Sequence, residues 1–374
     1  MKKLLASLLM CGTMISASAF AADPIKIGVF EPMTGDKAAG GQQTMEGVNL
    51  AHELRKEALG RPIEVVLVDN KSDKVEAANA MARLLDKEKV VAVIGSFGSS
   101  LSMAGGPLAM KAQVPVMGCS PTNPLVTKDN PFYFRACFID PFQGQVMAQY
   151  AAKDLGAKTA AIVQDVAQDY SVGLASYFKK AFTELTGDPN SIVAEVSYQS
   201  GDSDFTAQLT NIVEKNPDVI FVPSYYQDMA QFAIQARQLG LKSVLLGGDA
   251  IEAPELVSVG GEAVEGVKFS THYTADAAER EISKKFAEAY QQKYNKIPNA
   301  FAALGFDAYN LLVDAIEAAN SADSVAIRDA LVQFKNHEAV TGVITFDENG
   351  DPIKSAVILG VEGGKFKYVT TVNP

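Results

Sequence analysis

The stretch that decides the fold begins Val90-Val91-Ala92-Val93-Ile94-Gly95-Ser96-Phe97-Gly98-Ser99-Ser100. A helical segment opens around Leu101, and the stretch then closes with Val114-Pro115-Val116-Met117-Gly118-Cys119-Ser120-Pro121-Thr122-Asn123-Pro124. Two short apolar runs, Val90 to Ile94 and Val114 to Met117, are separated by one helix and end in loops of glycine and hydroxyl residues. The runs are continuous rather than alternating, the pattern of parallel strands covered on both faces.

The same grammar extends in both directions. Upstream strand candidates are Ile25 to Phe30 and Ile63 to Val68; downstream ones are Thr159 to Val163, Val219 to Val222 and Val244 to Leu246. Helical spacing marks Leu50, Ala51, Leu54 and Ala58, and helices are expected over Val75 to Leu85 and Asp228 to Leu239, the last stopped by Gly240. Strict alternation of strand and helix predicts doubly wound α/β layers. Two such series run over residues 24–138 and 141–270, followed by helix-rich sequence from Ala277 to Leu331 and a strand-like tail from Val343 to Val372, with Asn349-Gly350 as its turn signal. No flexible linker separates the two series. The expected architecture is therefore two doubly wound parallel-sheet lobes joined by three crossover segments, near Ile139 to Pro141, Ser270 to Tyr273 and Thr341 to Val343. The first lobe takes residues 22–139 plus 273–341, and the second 140–272 plus 342–374. Two open sheets whose carboxyl ends face each other make a cleft.

Residues 1–21 read as a signal peptide: Lys2 and Lys3, an apolar stretch from Leu4 to about Ile15, and the small-residue pattern Ala19-Phe20-Ala21. Met10 before Cys11 is bulky for a lipid-modified cysteine, so cleavage is expected after Ala21. The stretch is too short to span a bilayer. Beyond it remain Cys119 and Cys137, either a disulfide in an exported compartment or two buried thiols. The formal net charge of −11 argues against nucleic acid and anionic membrane surfaces as partners; simple solubility is its other meaning.

Catalytic signals are sparse. The three histidines, His52, His272 and His337, share no metal-ligand spacing, and His52 is expected to be solvated. There is no nucleophile elbow and no phosphate-binding P-loop, and Leu101 stands where the third glycine of a dinucleotide fingerprint would be. Neither metal nor cofactor is expected, and a hydrolase or dehydrogenase is disfavoured. What stands out are the strand ends. Ser99, Ser120 and Thr122 lie beside a helix N-terminus, a natural site for a carboxylate, although taken alone Ser99 and Thr122 read first as helix caps. In the second series, Leu246-Gly247-Gly248-Asp249 places a carboxylate past a strand, and Pro223-Ser224-Tyr225-Tyr226 places aromatics at a similar point. A carboxylate-binding rim facing an acidic group across a cleft suits a zwitterion.

At these residues the chain resembles the periplasmic leucine/isoleucine/valine-type binding proteins of ATP-driven importers. The marks are Pro32-Met33-Thr34-Gly35, Val93-Ile94-Gly95 with Ser99-Ser100, Ser120-Pro121-Thr122-Asn123-Pro124 and Phe134-Arg135. Asp140 with Gln143-Gly144, and Gly248-Asp249 with Pro254-Glu255-Leu256, complete them. The resemblance covers nearly the whole chain after the leader. It implies the type I periplasmic-binding fold, a monomer in the periplasm, and an inner-membrane importer permease as partner. It implies an amino-acid ligand, branched-chain or otherwise aliphatic; an amide, an aromatic acid or a ligand-sensing role are the alternatives. Ser99, Ser120 and Thr122 would take the ligand carboxylate, with Gly98 in the same loop, and Asp249 the ammonium. Phe97, Tyr170, Tyr225 and Phe301 would form the walls. Gly40-Gly41 replaces an aromatic residue common in the family's first loop, which implies a wider side-chain pocket.

Overall fold

The computed structural model describes residues 23–374; the signal-peptide reading of residues 1–21, including Cys11, lies outside them. Six strands form the first sheet: β1 (Ile25–Glu31), β2 (Glu57–Ala58), β3 (Arg61–Asp69), β4 (Ala92–Ile94), β5 (Val116–Gly118) and β6 (Tyr133–Arg135), in the order β2-β3-β1-β4-β5-β6. All pairs are parallel except β2 with β3. The second sheet holds β7 (Ala160–Asp165), β8 (Ile192–Tyr198), β9 (Val219–Phe221), β10 (Val244–Gly247) and β11 (Lys268–Thr271). After the separate hairpin β12 (His337–Ala339) and β13 (Gly342–Ile344), the strands β14 (Ala356–Glu362) and β15 (Lys365–Val372) complete that sheet in the order β15-β14-β11-β10-β9-β7-β8. Its pairs are parallel except β11 with β14 and β14 with β15, so β14 alone runs against the others.

Side-chain alternation explains why the strands read as unbroken apolar runs. Ile25, Ile27 and Val29 of β1 join Val48, Ala51, Leu304 and Leu311 on one face, contributed by α1 (Ala38–Leu54) and a helix near the C-terminus. Phe30 points to the other face, into Ala77, Met81, Leu101 and Ala109 of α2 (Lys74–Arg83) and α3 (Ser99–Ala112). The second sheet repeats this. Ala160, Ile162 and Phe221 pack with Val146, Leu174 and Phe178 of α4 (Asp140–Gln149) and α5 (Asp169–Thr186). Ala161, Val163 and Ile220 pack with Leu209, Met229, Ala233 and Leu256 of α6 (Thr206–Lys215), α7 (Tyr226–Gln238) and α8 (Pro254–Gly260). Burying each large side chain contributes about 1.5–3 kcal/mol. The layers are completed by α9 (Glu281–Tyr294), α10 (Ala300–Ala319) and α11 (Ser324–Val332). α10 lies on α1 of the first sheet although it follows the second sheet's β11 in sequence.

Several local expectations are corrected. Leu54 is the last residue of α1 and exposed, while Ala58 belongs to β2, so the helical spacing continued past the real stop. Asn349-Gly350 turns only an isolated bridge between Phe346 and Pro352; the β14–β15 hairpin turns at Gly363-Gly364. His52 is half-buried against Tyr309, its Nδ1 2.9 Å from the phenol oxygen, rather than solvated. Of the two readings left open for Cys119 and Cys137, the structure has the buried free thiols, and burial pushes both up in pKa.

Candidate functional site

The strand orders fix where a site forms. In the first sheet β1 is followed by β3 on one side and β4 on the other, so the loops after β1 and β4 diverge and leave a crevice. In the second sheet the same reversal falls between β8 and β9 around β7. Every site residue drawn from the sequence lies past the carboxyl end of a parallel strand or at the start of a helix facing this seam: Phe97, Gly98 and Ser99 after β4, Ser120 and Thr122 after β5, Tyr170 after β7, Tyr225 after β9, Asp249 after β10, and Phe301 at the start of α10. All of the side chains are buried, none more than 5% exposed.

The aromatic residues form one connected row. Phe301 meets Phe97 edge-on at 4.9 Å between ring centroids, Phe97 meets Tyr225 at 5.7 Å, and Tyr225 meets Tyr170 at 5.8 Å. Tyr170 closes the row by donating its hydroxyl to Asp249 Oδ1 at 3.1 Å. Gly98 makes this packing possible: its φ of +95° suits glycine, and a Cβ there would stand 3.2 Å from the Tyr225 hydroxyl. Gly40 lies in α1, where a Cβ would stand 2.5 Å from the Phe97 ring. The space that the missing aromatic leaves is therefore filled by Phe97, which corrects the expectation of a wider pocket.

The first-sheet side is rich in donors. Ser99 opens α3, whose first-turn N–H groups have no partner within the helix. The N-cap position is Gly98, so Ser99 does not cap; its Oγ accepts the Asn123 N–H at 3.1 Å and keeps its own proton to donate. Thr122 caps nothing either, since Asn123 caps the following turn. The hydroxyl of Ser120 and that of Tyr225 opposite are buried without a protein partner, while that of Thr122 lies against the Asp140 carboxyl. A buried unpaired hydroxyl costs about 1–3 kcal/mol, a cost a ligand acceptor would remove. Arg135 holds this loop in place: its guanidinium, wholly buried, donates to the carbonyls of Pro121 (2.7 Å) and Asn123 (3.0 Å) and to Thr127 Oγ1 (2.6 Å), and pairs with Asp351.

The second-sheet side centres on Asp249. Gln143 Nε2 donates to its Oδ1 at 2.8 Å, and His272 Nε2 lies 3.0 Å from its Oδ2. Neither Gln143 nor His272 was drawn from the sequence as a site residue, although Gln143 stands among the family marks. Asp140, at the head of α4, was missed likewise: it is buried, and burial holds its carboxyl well above the usual range against the opposing bond from Thr122. Beneath Phe97, Glu31 accepts the Phe97 N–H at 2.7 Å, and burial pushes its carboxyl up to about 8 despite that bond.

The two sides are joined across the seam. Tyr226 donates to the Asp36 carbonyl (2.8 Å) and accepts the Ala39 N–H (3.3 Å). Asn123 Nδ2 donates to the Asp169 carbonyl at 2.8 Å, and Ser100 exchanges hydrogen bonds with Asp169 through its carboxylate (2.8 Å) and its N–H (3.0 Å). A surface cavity of 640 Å³ between α1, α9 and α10, lined by Leu54, Phe286, Phe306 and His337, contains none of the seam residues.

Two facing sheets with a sealed, polar-ended and aromatic-walled seam between them define a two-lobed solute binder. The family model described as periplasmic binding protein matches residues 24–365, and the chain belongs to that family. The Leu/Ile/Val-binding protein homolog 3 of Brucella melitensis is 29% identical over 93% of this chain and 94% of its own length. Among solved structures, the leucine-binding protein LivK of Thermotoga maritima is 47% identical with a TM-score of 0.91, covering 94% of this chain and 99% of that one. The branched-chain amino acid transporter substrate-binding protein LivJ of Streptococcus pneumoniae, in complex with isoleucine, is 33% identical with a TM-score of 0.88, covering 94% and 100%.

Proposed function

We propose that this chain captures a small aliphatic amino acid of the branched-chain type in the seam and delivers it, in the periplasm, to the inner-membrane permease of an ATP-driven importer. The observation that carries the reading is the pairing of ends: free hydroxyls and a helix N-terminus on one side, a carboxylate on the other, with apolar rings between. The ligand carboxylate would take the hydroxyls of Ser99, Ser120 and Thr122 and the first N–H groups of α3. The ammonium would reach Asp249, and the side chain would lie against Phe97, Tyr225 and Phe301. Identity of 47% to a leucine-binding protein and 33% to an isoleucine complex supports an aliphatic side chain. The lobes of this reading are residues 22–139 with 273–341, and 140–272 with 342–374. Because the site residues are buried, a ligand enters only when the seam opens about the three crossings. The function so read is binding, not turnover, and the leader-like residues 1–21 support export.

A thermal-shift screen of the mature protein tests this. A ligand at about 100 times its Kd adds roughly 2.7 kcal/mol to the folded state. Leucine, isoleucine and valine are expected to raise the melting temperature by several degrees, and benzoate and simple aliphatic amides to leave it unchanged. A shift with benzoate or an amide and none with any amino acid would overturn the reading.

A further inference from the structure

His272 directly follows β11, within the crossing at residues 270–273, and is buried. Its ring is held on two sides. Phe138, beside the first crossing, stacks on it at 3.8 Å between centroids and 33° between planes, and Nε2 reaches Asp249 Oδ2 at 3.0 Å. Nδ1 has no partner. Gln143 Nε2 bonds both Asp249 Oδ1 (2.8 Å) and Ser270 Oγ (3.0 Å), so the carboxylate is fixed to the hinge strand through two routes. An Nδ1 without a protein partner beside an Nε2 held on Asp249 fits the neutral ring with its proton on Nε2, donated to Asp249.

We propose that His272 is the positioning residue for the ligand-binding carboxylate of Asp249, and that protonation of His272 weakens ligand capture in acid. The inference rests on the reading of Asp249 as the ammonium's partner. In the neutral ring, one N–H orients Asp249 and leaves its charge for the ligand. A protonated ring neutralises that carboxylate and places a second cation where the ammonium must sit, at a distance where like charges repel strongly. Burial lowers the pKa of His272, and Lys354 lowers it further, while the Asp249 bond and charge oppose them. Other titratable groups bear on Asp249 from its surroundings. Asp140 of α4 is held up by burial, and Glu252, past β10, is pushed up to about 8. Tyr170 of α5 is pushed up too, so its proton stays in place through the acid range. The histidine is the group here whose loss of neutrality falls below pH 6.5.

The experiment is calorimetric titration of the full mature chain with L-leucine from pH 7.5 to 5. Affinity of the wild type is expected to fall as His272 titrates, approaching about tenfold per pH unit, with one proton taken up by the free protein for each ligand lost. His272→Gln keeps a donor near Nε2 without titrating: it is expected to bind within about threefold of wild type at pH 7.5 and to lose the acid fall. His272→Leu removes the donor and is expected to bind more than tenfold weaker at every pH. Ligand-free circular dichroism confirms that each variant is folded. An unchanged acid profile in His272→Gln, or wild-type affinity in His272→Leu, would overturn the proposal. Failure of the parent reading looks different: L-leucine would not bind the wild type, or Asp249→Asn would bind it normally while the histidine variants did not.

Discussion

Glu31 stands on the third position past the middle of β1, directly under the loop that carries Phe97. Its carboxyl is wholly buried, with one oxygen bonded to the Phe97 N–H and the other unpartnered, and burial raises it from 4.5 to about 8. An acid raised in the folded state binds its proton there while the unfolded chain has lost it. Its contribution to stability is therefore fully present below about pH 4.5 and is lost as pH rises toward about 8. Glu252, which bonds Thr271 and the Ala300 N–H, is raised to about the same value and adds to the same slope. Glu31→Gln keeps an acceptor for Phe97 and removes the titration. The variant is expected to melt higher than wild type at pH 8 and equally near pH 4.5, each unit of displacement being worth about 1.4 kcal/mol. Parallel melting curves of the two proteins across that range would refute the assignment. Glu31 was invisible in the sequence because a Glu at a strand end reads as solvated; only the fold shows that its strand is central in the sheet. Asp249 and Tyr225 were legible because a polar or aromatic residue just past an apolar run marks a strand's carboxyl end, whereas Tyr170, inside the first turn of α5, came only with the family resemblance. His272 was not, because β11 contains Lys268, Ser270 and Thr271 and lacks the apolar run that would have announced it.

Among elements, the contact of α1 with α10 is the closest helix pair of the first lobe's outer layer. A Cβ on Gly47 would stand 1.8 Å from the Ala302 carbonyl oxygen, and one on Gly305 would stand 2.2 Å from the Thr44 carbonyl oxygen. The two helices meet backbone to backbone, and Phe301, one turn before Gly305 on α10, packs on Phe97. Gly305→Ala is expected to lower unfolding free energy by about 1–3 kcal/mol in urea titration, the usual cost of overpacking, and to weaken ligand binding as well. Unchanged stability would mean that the helices separate freely. The elements that composition announced were those buried on both faces, such as β4 and β5. β8, with three exposed or half-exposed positions between buried ones, and β6, only three residues long and ending in the buried Arg135, gave no comparable run. The false extension of α1 to Ala58 has the same root: spacing sees a face, not the change of backbone at Arg55 that ends the helix.

At the scale of the whole molecule, the chain leaves each lobe and returns, and the crossings are knit to one another. Asp307 of α10 accepts the N–H groups of Val340 (2.6 Å) and Thr341 (2.8 Å), and Lys354 bonds the Ala136 carbonyl (2.6 Å) and Thr341 Oγ1. Burial brings the Lys354 ammonium down to about 8, against the attraction of Asp307. These polar ties lie behind the site and leave the front of the seam closed by a few bonds, Tyr226 to Asp36 and Asn123 to Asp169 among them. Two rows of strand ends then face each other, one offering hydroxyls, the other a carboxylate. The central claim is that a zwitterion bridges them with its ammonium on Asp249. Its most direct test is calorimetric titration of L-leucine into wild type and Asp249→Asn at pH 7.5. Asn is the better probe than Ala, because Gln143, Tyr170 and His272 all point at this side chain and would be left unpaired by truncation. Losing one member of a buried charge pair costs about 2–5 kcal/mol, so Asp249→Asn is expected to bind roughly 30-fold to several thousand-fold more weakly, with a ligand-free fold intact by circular dichroism. Leucine affinity within threefold of wild type in the Asp249→Asn protein would contradict the account.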